Sequence, residues 1–349
     1  MSRRRIRPAL AGPFAACLVA AALFGAATPA AKTLLEDLGS FTAAGLLYLG
    51  AGLMALPFAS SREVRGLRPN PAQRRTLAGA IIAGGGVAPV LLLMGLHAAP
   101  AASVSLWLAL ELPATALLAR ALFAEHLGRR TLEAVALAAG AGILLASPSG
   151  FQFAWAGLLL AGAALAWGLD NNLTARVDGY TPSRYTVLKG LAAGSVNLAI
   201  GLATGHAPSA RSAGAALLVG AIGYGGSLLL YVGASQRLGA VRAQVLFATS
   251  PLFGVALAWG WLGEPVGLVH LAAGALLAAA AALLLTEQHA HRHAHAAERH
   301  VHRHRHDDGH HDHRHRDLPA ATSHVHPHRH APLVHAHAHL PDVHHRHGH

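Results

Sequence analysis

The chain has 349 residues, 53% of them hydrophobic and only 12% charged, with a formal net charge of +11. A soluble domain carries roughly twice that share of charge, and long apolar runs fill most of residues 10–285, so a water-soluble globular fold is excluded and a polytopic membrane protein is indicated. The single cysteine, Cys17, lies inside the first apolar run and rules out an intramolecular disulfide and any cysteine-based redox or zinc motif.

Residues 1–9 form a basic cap, with Arg3, Arg4, Arg5 and Arg7, on the first apolar run. A secretory or twin-arginine signal has a similar start, but the many further spans, and a counterpart of this run in the second half, favour a retained helix. Ten spans of about 20 residues are expected near 10–31, 40–59, 76–97, 101–124, 131–147, 154–174, 185–203, 212–233, 242–262 and 266–286.

Arginines concentrate in alternate loops: Arg62, Arg65, Arg68, Arg74 and Arg75, then Arg129 and Arg130, then Arg176, Arg184, Arg237 and Arg242. The opposite loops hold only Lys32 and Arg211. The positive-inside rule then puts both termini in the cytoplasm. The positive charge therefore reads as topology, and no nucleic-acid partner is expected.

The two halves echo each other. Residues 101–126 align with 240–265 so that Glu125 falls on Glu264 and Glu111 on Ser250, and each segment bears a central proline, Pro113 or Pro251. Five spans per half is an odd number, so the halves lie with opposite orientation, as in carriers built from inverted repeats. Gly84, Gly85, Gly86 and Pro89 interrupt the third span, and Gly220, Gly223, Gly225 and Gly226 the eighth. Matching interruptions mark either a cavity lined by loosened backbone or close helix packing through small residues.

The stretch LFGAATPAAK, the Arg-rich loop, the proline helix ending in AEHLG, then ALAWGLDNNLTAR and YVGASQRLGAVRAQVLFATSPLFGVALAWGWLGEPV together resemble the EamA-type branch of the drug/metabolite transporter superfamily. The resemblance covers about residues 10–286, and SPLF…LGEP is its most specific part. It implies an all-α integral membrane protein with two inverted five-helix repeats, 10–147 and 154–286, and a multi-pass carrier of the bacterial-type inner membrane. Such carriers are often exporters of amino acids, metabolites or other small polar molecules; the resemblance names no cargo.

Polar residues inside the spans are the candidates for a site. Glu111 falls near the bilayer midplane, where a carboxylate costs at least about 2.5 kcal/mol and should face a cavity or a partner; it is a cargo or proton site, or a protonated acid bonded to a neighbouring helix. Asp170, Asn171 and Asn172 form the densest polar cluster, either a counter-ion for a cation or a helix end leaving the membrane. Tyr224, Gln244 and Ser250 complete the expected cavity, and Trp107 stands near the polar point of its helix. Lys32 and Lys189 are the only two lysines; Lys189 is expected to snorkel to the inner surface, and Lys32 to snorkel outward or to contact an anionic group. Glu125 and Glu264 are expected at first-turn or capping positions of the helices that follow them.

From 287 to 349 the composition changes. Of 27 histidines only His97, His126, His206 and His270 precede this tail. With no apolar periodicity to bury, it should be disordered when unliganded. Alternating neutral imidazoles favour Ni, Cu, Zn or Co without strong selectivity. No ligand set stands out; His302, His304, His306, His310, His311, His313, His335, His337 and His339 are representative. No cofactor is required, and the expected partners are a small-molecule substrate, the lipid bilayer and divalent ions at the tail.

Two other function classes remain to be weighed. An intramembrane hydrolase lacks a paired nucleophile and base, since the four early histidines fall at span ends or in loops, and GAGILLASPSG lacks the Gly-Lys-Ser/Thr of a nucleotide loop. A metal exporter, or a metal sensor that transports nothing, would explain the tail, but the spans lack a His/Asp/Glu path.

Overall fold

The computed structural model describes residues 6–59, 70–123, 127–146, 154–177, 180–265, 267–285, 290–295, 299–304, 324–329 and 333–338. Glu125 and His126 lie outside them.

Ten helical segments, among the described residues, correspond one for one to the expected spans. They are α1 (Ile6–Leu34), α2 (Ser40–Ala55), α3 (Pro71–Ala98), α4 (Ala101–Phe123), α5 (Arg129–Ala146), α6 (Ala154–Thr174), α7 (Pro182–Ala203), α8 (Ala210–Leu238), α9 in two pieces (Ala240–Phe247 and Ser250–Leu262) and α10 (Leu268–Leu285). Among the described residues, seven helices are long and apolar enough to cross a bilayer. Large apolar side chains such as Ile82, Leu117, Ile143, Trp155 and Trp259 point outward, the arrangement a lipid solvent permits.

Local chemistry sets the helix starts. Asn70 and Gln73 close a capping box ahead of Pro71, Thr181 accepts the Arg184 N–H just before Pro182, and Ser209 accepts the Ser212 N–H. Gly239 and Gly263, both with positive φ, turn the chain at the two ends of α9.

Both repeats carry the same irregularities. A π turn occupies Ile81–Val87 in α3 and Gly220–Gly226 in α8, and Ile81 and Gly220 stand the same 139 positions apart as Glu111 and Ser250. A 3-10 turn, Leu108–Leu110, precedes Glu111, and a break at Ala248–Thr249 precedes Ser250. Pro113 and Pro251 fall in the first turn after each break, where a missing N–H costs little.

The helices pack as a two-fold would require: α2 on α7 and α5 on α10 at the centre of the symmetry, α1 on α9 matched by α6 on α4, and α2 on α8 matched by α7 on α3. The α2–α7 contact is backbone to backbone. A Cβ on Gly190 would stand 2.5 Å from the Gly52 nitrogen, and one on Gly194 would stand 2.7 Å from the Leu49 nitrogen.

In the tail, β1 (Ala290–His295) pairs antiparallel with β4 (Leu333–Ala338), and β2 (Arg299–His304) with β3 (His324–Arg329). Four short pairing segments stand where the composition gave no reason to expect fixed structure. Isolated two-stranded pairs of this kind are marginal in water. His306, His310, His311, His313 and His339 lie outside the described residues.

Candidate functional site

The i and i+4 positions of two facing helices build the polar centre. On α6 these are Asp170 and Thr174; on α7 they are Tyr185 and Lys189, each pair on one helix face. Lys189 Nζ donates to Asp170 Oδ2 at 2.5 Å, and the Tyr185 hydroxyl donates to Asp170 Oδ1 at 3.0 Å. Thr174 Oγ1 adds a bond to the same oxygen at 3.2 Å and lies 2.5 Å from the Tyr185 hydroxyl. Lys189 is 1% exposed and Asp170 4%. Lys189 thus does not snorkel to the surface. A carboxylate with three donors is a better partner for its ammonium than the long reach to water, and the pair leaves little net charge in a dry interior. Asp170 is a paired interior group rather than a helix end leaving the membrane.

The π turn of α3 positions this pair. A Cβ on Gly84 would stand 2.1 Å from the Asp170 carboxyl carbon, so only glycine admits the carboxylate here. The wide turn frees carbonyls, and buried donors meet them. The Tyr48 hydroxyl and Trp167 Nε1 (3.1 Å) donate to the Gly84 oxygen, and Asn197 Nδ2 donates to Gly85 O at 3.1 Å. The glycines of α8 play the other expected part: a Cβ on Gly220 would stand 2.1 Å from the Leu47 carbonyl oxygen, and one on Gly225 would stand 2.9 Å from Ala51 Cα. The α3 π turn thus backs the Asp170 carboxylate, whereas the α8 π turn packs its glycines on α2 and presents Tyr224 to the site. Pro89 sits just after the first turn, at the start of the lower part of α3.

Glu111 belongs to an adjoining network. Asn171 Nδ2 lies 2.8 Å from Glu111 Oε1, 3.1 Å from Thr115 Oγ1 and 3.1 Å from Gln244 Oε1, three acceptors for two hydrogens. Thr115 Oγ1 donates to the Glu111 carbonyl at 2.8 Å, and the Tyr231 hydroxyl donates to Gln244 Oε1 at 3.0 Å. Asn172 Nδ2 fastens α6 to α4 through the Thr115 carbonyl at 2.9 Å.

Between these groups lies a cavity of about 40 Å³, room for about three waters. Glu111, Asp170, Asn171 and Lys189 form its polar side, and Phe24, Tyr48, Trp167, Tyr224, Tyr231 and Phe247 its aromatic wall. Phe24 is the hub, with ring centroids 5.7 Å from Trp167, 5.4 Å from Tyr224 and 5.3 Å from Phe247. The walls come from both repeats. The volume is too small for a metabolite.

Of the residues expected from sequence, Glu111, Asp170, Asn171 and Tyr224 meet at this cavity. Gln244 stands one layer behind, bonded to Asn171 and Tyr231. Ser250 does not line the cavity; its backbone oxygen packs where a Cβ on Gly25 would fall, at 2.1 Å, because α1 crosses α9 at that break. Trp107 packs beside Gly157 of α6. Sequence reasoning missed Lys189, Tyr185, Tyr48, Trp167 and Tyr231. A signal was available: all five tyrosines are buried, and four fall inside spans rather than at the bilayer interface where such rings are common.

At the far end of the bundle two expectations change. Lys32 Nζ donates to the carbonyls of Leu96 (2.6 Å) and Ala99 (3.0 Å) at the end of α3 instead of reaching outward. Glu264 does not cap the helix that follows it. Its carboxylate accepts the N–H groups of Ala101 (3.1 Å) and Ala102 (2.7 Å), the first turn of α4 in the other repeat. No group of three or more His, Cys, Asp or Glu side chains suited to a metal ion occurs among the described residues.

The architecture is similar to that of a protein solved by crystallography, with a TM-score of 0.61 at 19% identity over 77% of this chain and 95% of the other. That likeness speaks to the fold. No curated protein matches the chain. The model of the EamA-like transporter family matches residues 12–147 and 154–286, the two halves found here to pack as an inverted repeat. The chain belongs to the EamA-like transporter family.

Proposed function

We propose that the chain is a secondary carrier of the bacterial-type inner membrane, with both termini cytoplasmic, that exports a small polar solute by alternating access around the cavity between its repeats. The observation that carries this reading is the Asp170–Lys189 pair lining an aromatic-walled cavity between the repeats. A buried pair of opposite charges can exchange partners with a zwitterion: the cargo's ammonium replaces Lys189 on Asp170, and its carboxylate takes the Lys189 ammonium. The exchange keeps the charges compensated while the pair is split, which avoids the large cost of an unpaired buried charge. An amino acid or a close relative has that chemistry. The aromatic wall supplies faces for the ammonium and for apolar parts of the cargo. The Arg-rich loops support the orientation.

The test is counterflow of labelled amino acids in liposomes holding the purified full chain. Exchange should occur and should fall about a hundredfold in Asp170→Asn and in Lys189→Gln, the scale of losing one partner of a desolvated charged pair. Exchange that survives both substitutions at full rate rules the reading out.

The tail supports a separate role, binding of divalent Ni, Cu, Zn or Co. Its register sets His291 opposite His337 and His293 opposite His335 in β1·β4, and His300, His302 and His304 opposite His328, His326 and His324 in β2·β3. Opposite positions in such a ladder stand about 5 Å apart, and imidazole is a good ligand for these ions. Calorimetric titration with Ni should show several ions bound by the full chain and none by a chain ended after Gln288. Equal binding by the two would remove the tail from consideration.

A further inference from the structure

Two carboxyl groups line the cavity, and their surroundings differ. Asp170 has a permanent cation and two hydroxyl donors. Glu111 has an amide. Its carboxylate oxygen accepts Asn171 Nδ2, and the side chain is 5% exposed. Charge on Asp170 is already matched by Lys189. Charge on Glu111 would be the excess one, and a dry site relieves an excess charge by taking up a proton or by meeting a cation.

We propose that Glu111 carries the coupling proton, separately from the Asp170–Lys189 pair that handles the cargo; this rests on the carrier reading above. The ionised carboxylate competes best for the Asn171 amide, which has only two hydrogens for three acceptors. When Glu111 binds a proton, its oxygen becomes a poor acceptor and Asn171 turns to Gln244 Oε1 and Thr115 Oγ1, while the new O–H of Glu111 becomes a donor. Glu111 lies in α4 of the first repeat; Asn171 (α6) and Gln244 (α9) lie in the second. Loading and unloading one proton therefore makes and breaks a hydrogen bond across the moving interface, which a coupling group must do. The proton is taken from the side to which the cavity opens and released on the other; only the Glu111 O–H bond forms and breaks, and no other covalent bond changes.

The ionisable groups around Glu111 are compatible with this role. The α6 helix offers Asp170, α7 offers Lys189 across from it, α8 offers Tyr231, and α2 offers Tyr48. The first piece of α9 carries Arg242, two residues before Gln244. On the other flank α5 brings Gly142 beside Leu110, with Ala138 and Ala141 buried nearby, while its charged Arg129, Arg130 and Glu133 stand at its far end. Lys189, the cation lining the cavity, is held by Asp170.

The experiment uses the purified full chain in liposomes with a pH-sensitive dye inside and a mixture of the standard amino acids as probe, alongside infrared spectra of the same protein recorded as the pH is lowered. The wild type should move protons when amino acids are added, with a rate that depends on pH. Glu111→Gln should move amino acids without protons and with a flat pH profile, and Glu111→Asp should keep coupling with a displaced profile, which also guards against a folding defect in the first variant. In the infrared spectra a protonated-carboxyl band should appear in the wild type and in Asp170→Asn and be missing in Glu111→Gln. Proton movement that persists in Glu111→Gln overturns the proposal. If the wild type moves no amino acid, the cargo reading fails while the infrared comparison still decides: a band lost only in Glu111→Gln upholds the proton site, and a band unaffected by that substitution overturns it.

Discussion

The carboxylate of Glu264 in the second repeat holds the first turn of α4 in the first, accepting the Ala102 N–H at 2.7 Å and the Ala101 N–H at 3.1 Å. The helix it caps leads to Glu111. Beside it Lys32 grips the last carbonyls of α3. The α3–α4 corner is thus clasped by one anion at a helix start and one cation at a helix end, each where the helix dipole favours it, and by residues from opposite repeats.

In the proposed alternating-access cycle, opening at this end breaks the Glu264 contacts. Glu264→Ala should release them at a cost of about 1 kcal/mol, the usual worth of a helix cap, and so shift the balance about fivefold toward states open at that end. With Cys17 replaced by alanine and a single cysteine placed at Tyr224, modification by a membrane-impermeant thiol reagent added from that side should speed up by the same factor. An unchanged rate would mean that the clasp does not hold the gate.

The buried ion pair predicts a non-additive pattern. Asp170→Asn leaves Lys189 buried without its counter-charge beside the Tyr185 hydroxyl, and Lys189→Met leaves Asp170 with only the hydroxyl donors of Tyr185 and Thr174; each should cost about 3–5 kcal/mol of stability, whereas the double variant should recover most of it. Thermal unfolding of the purified proteins in detergent measures this. Transport should remain lost in the double variant, because a packed core is restored but no charges are left to exchange with cargo. Additive losses would show that the two residues act separately.

Much of the architecture was legible because lipid imposes a single rule, that every spanning backbone satisfies itself, so ten apolar runs and the 139-residue echo suffice to order the helices and invert the halves. The site was legible in part. Glu111, Asp170, Asn171 and Tyr224 stood out as polar groups in apolar runs. Lys189 did not, because a lysine a few residues into a span has the same local sequence whether it snorkels or pairs. The choice depends on whether Asp170, on another helix, comes within reach. The destination of Glu264 was hidden for the same reason. Its neighbours in sequence suggest a cap for the next helix, and only packing between the repeats offers it the free N–H groups of α4.

The π turn of α3 yields a prediction with an internal control. Gly84→Ala places a methyl carbon 2.1 Å from the Asp170 carboxyl carbon and Oδ2, and neither can yield without disturbing Lys189 and Tyr185. Transport should be abolished. Stability should fall by about 1–3 kcal/mol, the range for overpacking a filled site. Gly140 in α5 has nothing within 4 Å of an added Cβ, and Gly140→Ala in a helix interior should stabilise by about 0.5–1 kcal/mol through the unfolded chain alone. Thermal unfolding and counterflow of the two variants, side by side, separate a crowding effect at the site from a general intolerance of alanine. If Gly84→Ala behaves like Gly140→Ala, the carboxylate of Asp170 does not sit against the turn, and the geometry on which the cargo site rests is wrong.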